Sequence, residues 1–294
     1  MRERSALSSI AGMQILRDRV AVVTGAASGI GRAVVDRLAA EGVKIVMADV
    51  ESDALDVAWK EVRSTGADAI AVRTDISLVA DIEALAEATV ATYGGVHLLC
   101  NIAGVEGGGL FADLSRRTWE WVMGVNFWGT VDACRIFLPL LTAQDEAHIV
   151  NTASMAGFGT GLPTFHPYVA SKFAVVGLTE NLEVELRTMT APHVGVSLLS
   201  PGLVKTRMNQ SERNCPADVP ATDADDLRVE LHANIDRETE AFGVEASTVA
   251  DLVVDAVRER RFHILTHSEQ TIGAFRRRLA WLETGEPPSS PTRP

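Results

Sequence analysis

Tyr168 and Lys172 stand four residues apart at the head of an apolar segment with helical periodicity, so a helix would stack their side chains on one face. A phenol ionises near pH ~10, too high to act as a base at neutral pH. An ammonium ~5 Å away favours the phenolate by roughly 3 kcal/mol at an effective dielectric of ~20, which lowers its pKa by about two. The pair is therefore a candidate acid/base. Tyrosine and lysine are ordinary helix-surface residues, however, and the spacing alone identifies nothing.

A second candidate opens the chain's first regular element. The β-branched run Val20, Ala21, Val22, Val23 leads into residues 24–31, Thr-Gly-Ala-Ala-Ser-Gly-Ile-Gly, and then into a helical pattern with Val34, Val35 and Leu38 on its inner face. Gly25, Gly29 and Gly31 let the backbone turn tightly and approach a diphosphate, while the helix aims its first N–H groups at the anion. The spacing is G-x-x-x-G-x-G, not G-x-G-x-x-G. Asp49 closes the second strand, where a carboxylate accepts from adenosine ribose hydroxyls and repels a ribose 2′-phosphate. With no Arg or Lys at 26–28 or 50, the turn reads as a site for NAD rather than NADP.

The elements that must position these groups alternate. Strand patterns at 20–23, 44–49, 69–73, 96–100, 147–152, 194–199 and 262–266 are separated by helical patterns at 32–41, 53–65, 79–93, 115–142, 167–189 and 246–260, with a last helix at 269–284. Strand–helix alternation of this length predicts an α/β fold, a Rossmann-like doubly wound parallel sheet of about seven strands with helices on both faces. Residues 1–17 read as an N-terminal extension in which Met13 is an alternative start, 18–285 as a single domain, and 286–294 as a disordered tail. Within the domain, 203–243 is a polar, acidic excursion with some helix, expected to be mobile.

Composition narrows the classes. The 294 residues are 47% hydrophobic and 22% charged, enough for one large core, and the net charge of -12 argues against a nucleic-acid partner. Arg276, Arg277 and Arg278 fall on one late helix and read as a solvated face. Three cysteines, Cys100, Cys134 and Cys215, with no C-x-x-C and no nearby histidine at ligand spacing, suit a reduced, cytoplasmic setting without a metal. His263 and His267 lie on a strand pattern, where four-residue spacing makes no helical chelate. No apolar run reaches the ~18 residues of a membrane span, and no signal-peptide core is present.

Taken together, 24–31, Asn101-Ile102-Ala103-Gly104, Asn126 within 124–129, Ser154, the Tyr168/Lys172 pair, and Pro201-Gly202 followed by Thr206 resemble the short-chain dehydrogenase/reductase family across about residues 17–206. Each motif is common; their order is specific. The resemblance implies that Tyr168 exchanges a proton with the substrate oxygen, that Lys172 depresses its pKa and bonds the nicotinamide ribose, that Ser154 donates to the developing alkoxide or carbonyl oxygen, and that Asn126 holds a water linking Lys172 to solvent. It also implies cofactor contacts from Gly25, Ser28, Gly29, Ile30 and Gly31, from Asp49, from Asp75 and Ile76 at the adenine, from Asn101, Ala103 and Gly104 behind the cofactor, and from Pro201, Gly202, Val204 and Thr206 near the carboxamide. Ile102 departs from the Asn-Asn-Ala-Gly common in the family, which weakens a structural hydrogen bond at most.

The activity so implied is NAD-dependent interconversion of a secondary alcohol and a ketone. The stretches 105–111, 155–165 (with Met155, Phe158, Leu162 and Phe165) and 203–242 should wall a roomy apolar pocket for a bulky hydrophobic, aromatic or alicyclic substrate. A homodimer or homotetramer through the helices of 115–142 and 167–189 is expected. The alternative is a non-catalytic NAD-sensing regulator on the same fold; such a protein would lose the tyrosine or the lysine, and both are present.

Overall fold

The computed structural model describes residues 12–14, 16–159, 162–219 and 226–287. In chain order the elements are β1 Val20–Thr24, α1 Gly29–Ala40, β2 Lys44–Asp49, α2 Ser52–Ser64, β3 Ala69–Arg73, α3 Val79–Tyr93, β4 Leu98–Asn101, α4 Arg116–Met123, α5 Gly129–Thr142, β5 Ala147–Thr152, α6 His166–Glu185, β6 Val194–Ser200, α7 Asp226–Phe242, α8 Ala246–Glu259, β7 His263–Leu265 and α9 Ser268–Thr284. The strands form one sheet in the order β3-β2-β1-β4-β5-β6-β7, with every pairing parallel. The chain winds outward from β1 to β3 and then returns to the other side of β1. The strand order thus reverses between β1 and β4, and a crevice opens there beyond the strands' carboxyl ends.

The period-2 alternation of the strands divides the core. Ala21, Val23, Ile45 and Met47 face α1, α2 and α8, which contribute Val34, Val35, Leu38, Leu55, Val62, Val253 and Val257. Val22, Val46, Leu99 and Ile149 face the opposite layer, which contributes Ile82 and Leu85 of α3 and Phe137 and Leu141 of α5. Met13 and Leu16 are buried in the first of these clusters, and a Cβ at Gly12 would fall 2.2 Å from the Arg258 carbonyl oxygen. This segment is packed against the domain.

Three boundaries differ from the sequence expectation. The fourth strand starts at Leu98; His97, just before it, already meets β1, its backbone N–H donating to the Val20 carbonyl and its ring Nδ1 accepting from the Val20 N–H. The 115–142 helix is two helices joined by a π-helical turn, Gly124–Trp128, and α6 likewise ends in a π-helical turn, Leu186–Thr190. A π turn keeps helical sequence periodicity nearly intact, so apolar spacing does not reveal it. The excursion carries a 3-10 helix at Met208–Asn214, tied to Glu51 by Arg213, and the 17-residue α7, tied to Glu106 by Arg228. Residues 1–11, 220–225 and 288–294, on which part of the expected extension, excursion and tail falls, lie outside the described residues.

Candidate active site

Pro167 occupies the first turn of α6, where its missing N–H is harmless, and Tyr168 follows. One turn on, Lys172 is 2% exposed. Its Nζ lies 5.6 Å from the centre of the Tyr168 ring and donates at 3.0 Å to the carbonyl of Thr152, the last residue of β5. Ser154, two residues beyond that strand, is extended (φ -169, ψ 162) and caps a short 3-10 turn. Its Oγ accepts from the Ala156 N–H at 3.2 Å and donates to the Pro201 carbonyl at 3.3 Å, tying the end of β5 to the loop after β6.

Asn126 sits inside the π turn and is 1% exposed. Its Oδ1 accepts from Val105 N and its Nδ2 donates to Val105 O, both at 2.9 Å, and Nδ2 also donates to Ser171 Oγ at 3.0 Å. Gly104 stands between Asn126 and Lys172: a Cβ there would be 3.3 Å from Asn126 Oδ1 and 3.6 Å from Lys172 Nζ. The four residues expected to carry the chemistry thus lie around one point at the carboxyl edge of the sheet.

Their electrostatics depart from expectation. Burial pushes the Lys172 ammonium down to about 8, and burial pushes the Tyr168 phenol up to about 12, with a hydrogen bond to Ser154 opposing the rise and the Glu106 carboxylate adding to it. Lysine was expected to lower the phenol. In the free protein the desolvation of both groups outweighs their mutual attraction, so the neutral phenol is favoured.

The cofactor side begins at the glycine turn. Gly25 and Gly29 have φ of +68 and +55, and a Cβ on Gly31 would sit 2.1 Å from the Gly25 carbonyl oxygen. Ser28 is the N-cap of α1 but makes no side-chain capping bond, and the first turn carries no acid, so the N–H groups of Ile30 and its neighbours point out at the crevice. Asp49 is held facing the same turn: its carboxylate accepts from Ala27 N and Glu51 N, each at 3.0 Å, while burial pushes its pKa up. An uncapped helix start, a turn only glycine can form and a fixed carboxylate at the strand end fit a dinucleotide.

The remaining expected contacts are more mixed. Ala103 and Gly104 border the crevice, and a Cβ on Gly25 would lie 2.9 Å from Ala103 Cα. Asn101 turns its side chain into the sheet, donating to Asn151 Oδ1 at 2.9 Å. Asp75 Oδ1 accepts from the Ser77 N–H and hydroxyl, and Ile76 is buried against Gly129. Gly202 N donates to Thr266 Oγ1 at 2.8 Å, Val204 bridges to Val244, and the Thr206 methyl faces Gly29. Of the expected pocket side chains, Phe158 packs toward His263 and Phe165 is 5% exposed against α7, which leaves Leu162, 44% exposed, and Met155 nearer solvent.

Sequence reading missed the contacts of three groups. Thr24 Oγ1 accepts from both Ile102 N (3.0 Å) and Ala103 N (3.1 Å), which locks β1 to the loop after β4; Ile102 meanwhile joins the apolar core. Arg213 pairs with Glu51, 162 residues away in sequence, at 2.8 Å, and the Glu51 N–H in turn donates to the Asp49 carboxylate. Glu106 is buried against Arg228 and His232 of α7. The one signal for Glu106 is that it is the only charge in 105–111. Among the described residues no cluster of three metal-ligating side chains occurs, and no helix is long and apolar enough to cross a membrane.

Comparison with known proteins agrees with this geometry. The family model for short chain dehydrogenases matches residues 19–216. A 1-deoxy-11-beta-hydroxypentalenate dehydrogenase of Streptomyces exfoliatus is 35% identical over 281 residues, covering 94% of this chain and 93% of the relative. A dehydrogenase/reductase of CLA biosynthesis from Lactiplantibacillus plantarum is 31% identical over 87% of this chain and 91% of its own length. Among solved structures, a short chain dehydrogenase/reductase from Burkholderia phymatum in complex with NAD is 40% identical, with a TM-score of 0.90 over 96% of this chain and 100% of that one.

Proposed function

The chain belongs to the short-chain dehydrogenase family, and from that premise we propose that this oxidoreductase interconverts a secondary alcohol and a ketone with NAD. The observation that carries the reading is the convergence of Ser154, Tyr168 and Lys172 at the end of β5, with the Asn126 side chain just across Gly104. An alcohol oxygen set between Ser154 Oγ and Tyr168 Oη receives a hydrogen bond from the serine and gives its proton to the tyrosine in its phenolate form, which the positive charges of Lys172 and oxidised NAD favour. NAD, when bound, supplies the acceptor for the hydride leaving the carbinol carbon. Gly25, Ser28, Gly29, Ile30 and Gly31 would hold its diphosphate, Asp49 its adenosine ribose and Lys172 its nicotinamide ribose. Tyr168 then returns its proton to solvent past Lys172 and Asn126; in reduction the proton runs the other way.

Asp49 and the NAD complex of the Burkholderia phymatum protein support NAD over NADP. The hydroxy compound in the Streptomyces relative's name and the apolar flank of Phe111, Leu162 and Met155 support a bulky hydrophobic substrate. Free Cys100, Cys134 and Cys215 support a cytoplasmic setting, and the exposed Trp128, Val184 and Met189 on α5, α6 and their flanks support a homodimer or homotetramer.

The test is an NAD-reduction screen across secondary alcohols of graded bulk, with NADP in parallel. The expected result is turnover rising with apolar bulk and a preference for NAD. Turnover of small polyols alone would refute the substrate class, a preference for NADP would refute the cofactor, and NADH binding without turnover of any alcohol or ketone would leave an NAD-sensing protein.

A further inference from the structure

Among the described residues Arg228 is the largest fully buried side chain, 1% exposed, and it lies where all three variable stretches around the site meet. Its two terminal nitrogens engage both oxygens of Glu106, Nη1 to Oε1 at 3.0 Å and Nη2 to Oε2 at 2.8 Å. His232, one turn along α7, places Nε2 3.2 Å from the same Oε2. The guanidinium carbon is 5.5 Å from the centre of the Phe165 ring, and the His232 ring stacks on that ring at 5.5 Å and 28°. Glu212, from the 3-10 helix, brings Oε1 to 3.6 Å from Arg228 Nη2. The loop fits closely around this cluster: Gly109 N donates to Thr164 O at 2.8 Å, and a Cβ on Gly108 would lie 1.9 Å from Thr164 O and 2.9 Å from Arg228 Nη1.

A buried ion pair is a poor way to gain stability, because desolvation of both charges offsets their attraction and well-packed apolar side chains of similar volume often do as well. What a bidentate pair supplies is geometry, since the guanidinium fork and the carboxylate match in one arrangement only. That arrangement sits beside the chemistry. Glu106 is two residues beyond Gly104, and Phe165 is three residues before Tyr168. Among the described residues, the charged and titratable groups facing Glu106 are Arg228 and His232 of α7, Glu212 of the 3-10 helix just beyond Arg228, and Tyr168 of α6, whose phenol is pushed up in part by Glu106.

We propose that Glu106, Arg228 and His232 are positioning residues of this site: they clamp α7 onto the loop after β4, fix Phe165 between them, and so set the wall against which a substrate is aligned for Tyr168. The clamp makes the excursion a preformed wall. The assignment rests on the alcohol/ketone reading above for its catalytic consequence, and on the contacts alone for the clamp itself.

Three full-length variants test it: Glu106→Gln, Arg228→Met and the double variant carrying both. Amide hydrogen exchange, without substrate, should show α7 and residues 105–111 losing protection together in Arg228→Met. With an alcohol found in the screen, each single variant should lose tenfold or more in kcat/KM while the NADH Kd stays within twofold. The double variant, which leaves no buried charge of the pair unpartnered, should regain at least half of that loss on a logarithmic scale. In Glu106→Gln the acidic limb of the kcat/KM profile for alcohol oxidation should also move to lower pH, because a carboxylate facing the phenol is gone. Unchanged exchange, an unmoved limb, or a loss of kcat/KM that simply follows NADH affinity and melting temperature down through all three variants would overturn the proposal. A wild-type chain that oxidises no alcohol would sink the preceding reading alone, and the exchange data would still decide the clamp.

Discussion

Lys172 Nζ stands 5.6 Å from the centre of the Tyr168 ring, and burial shifts the two groups in opposite directions, the ammonium down to about 8 and the phenol up to about 12. Both shifts favour the neutral form. A neutral phenol is an acid, suited to giving a proton to a ketone oxygen; it becomes a base only when further positive charge enters the site. Adding oxidised NAD should therefore lower the pH at which Tyr168 ionises, and reduced NAD should lower it less. The chain has two tyrosines, Tyr93 and Tyr168, and burial and Asp68 push Tyr93 up as well. Tyrosinate absorbance in a pH titration reads this directly: an NAD-dependent signal that survives in Tyr168→Phe would belong to Tyr93 and sink the argument.

Replacing Tyr168 with Phe keeps the ring and removes the proton. The hydroxyl's partner Ser154 retains its bonds to Pro201 O and Ala156 N, so the local backbone should hold. Loss of a positioned acid/base is expected to lower kcat by about 10²- to 10⁴-fold. NADH affinity, measured by fluorescence, should change by less than about two-fold, well under 1 kcal/mol. Undiminished turnover would remove Tyr168 from the chemistry.

Asp49 should decide between the two dinucleotides. Its carboxylate is fixed by Ala27 N and Glu51 N, and Arg213 stands beyond it, paired with Glu51 at 2.8 Å. Asp49→Asn removes the charge that repels a 2′-phosphate, and adding Glu51→Gln frees Arg213 to meet it. The single change is expected to raise kcat/KM for NADP relative to NAD by roughly ten-fold, about 1.4 kcal/mol, with the double change exceeding it. Competition kinetics with both cofactors measure the ratio, and a ratio unmoved by either variant would place the ribose elsewhere.

How far the sequence reaches depends on how local the cause is. The strand-turn-helix of 20–40 is legible because apolar period and glycine placement act within a few residues, and the seven parallel strands follow from repeating that logic. Ser154, Tyr168 and Lys172 are legible as an ordered set. Their protonation is not, because it depends on burial by distant segments, including a carboxylate at Glu106. The π turn around Asn126 hides in a helical period, and Asn101 matches a motif yet turns inward to Asn151. Arg213 and Arg228 were invisible because their partners lie more than 100 residues away, across an excursion whose polarity suggested mobility.

His148 gives a pH dependence of stability. It is 1% exposed on β5, with Nε2 2.8 Å from Ser197 Oγ, and burial pushes it down to about 3. The unfolded chain takes up this proton near pH ~6.5 and the folded chain does not, so the stabilising effect is complete above that pH. On acidification it is lost at up to about 1.4 kcal/mol per pH unit between roughly 6.5 and 3. Denaturant unfolding as a function of pH should show a shallower slope in His148→Gln over that window. An identical slope would mean that other groups govern acid unfolding.

Thr24 offers the sharpest separation of a hydrogen bond from packing. It is 2% exposed at the end of β1, and its Oγ1 accepts from two backbone donors, Ile102 N at 3.0 Å and Ala103 N at 3.1 Å. Thr24→Val keeps the shape and orphans both N–H groups, at a cost of about 2–5 kcal/mol if neither finds a new partner. Because Ala103 also abuts Gly25, the same change loosens the glycine turn, so NADH affinity should fall along with the unfolding midpoint. Thr24→Ser keeps the acceptor and loses only a methyl, and should recover most of both. If valine and serine are equally destabilising, the methyl group's packing holds β1 to the loop after β4, and the two hydrogen bonds do not.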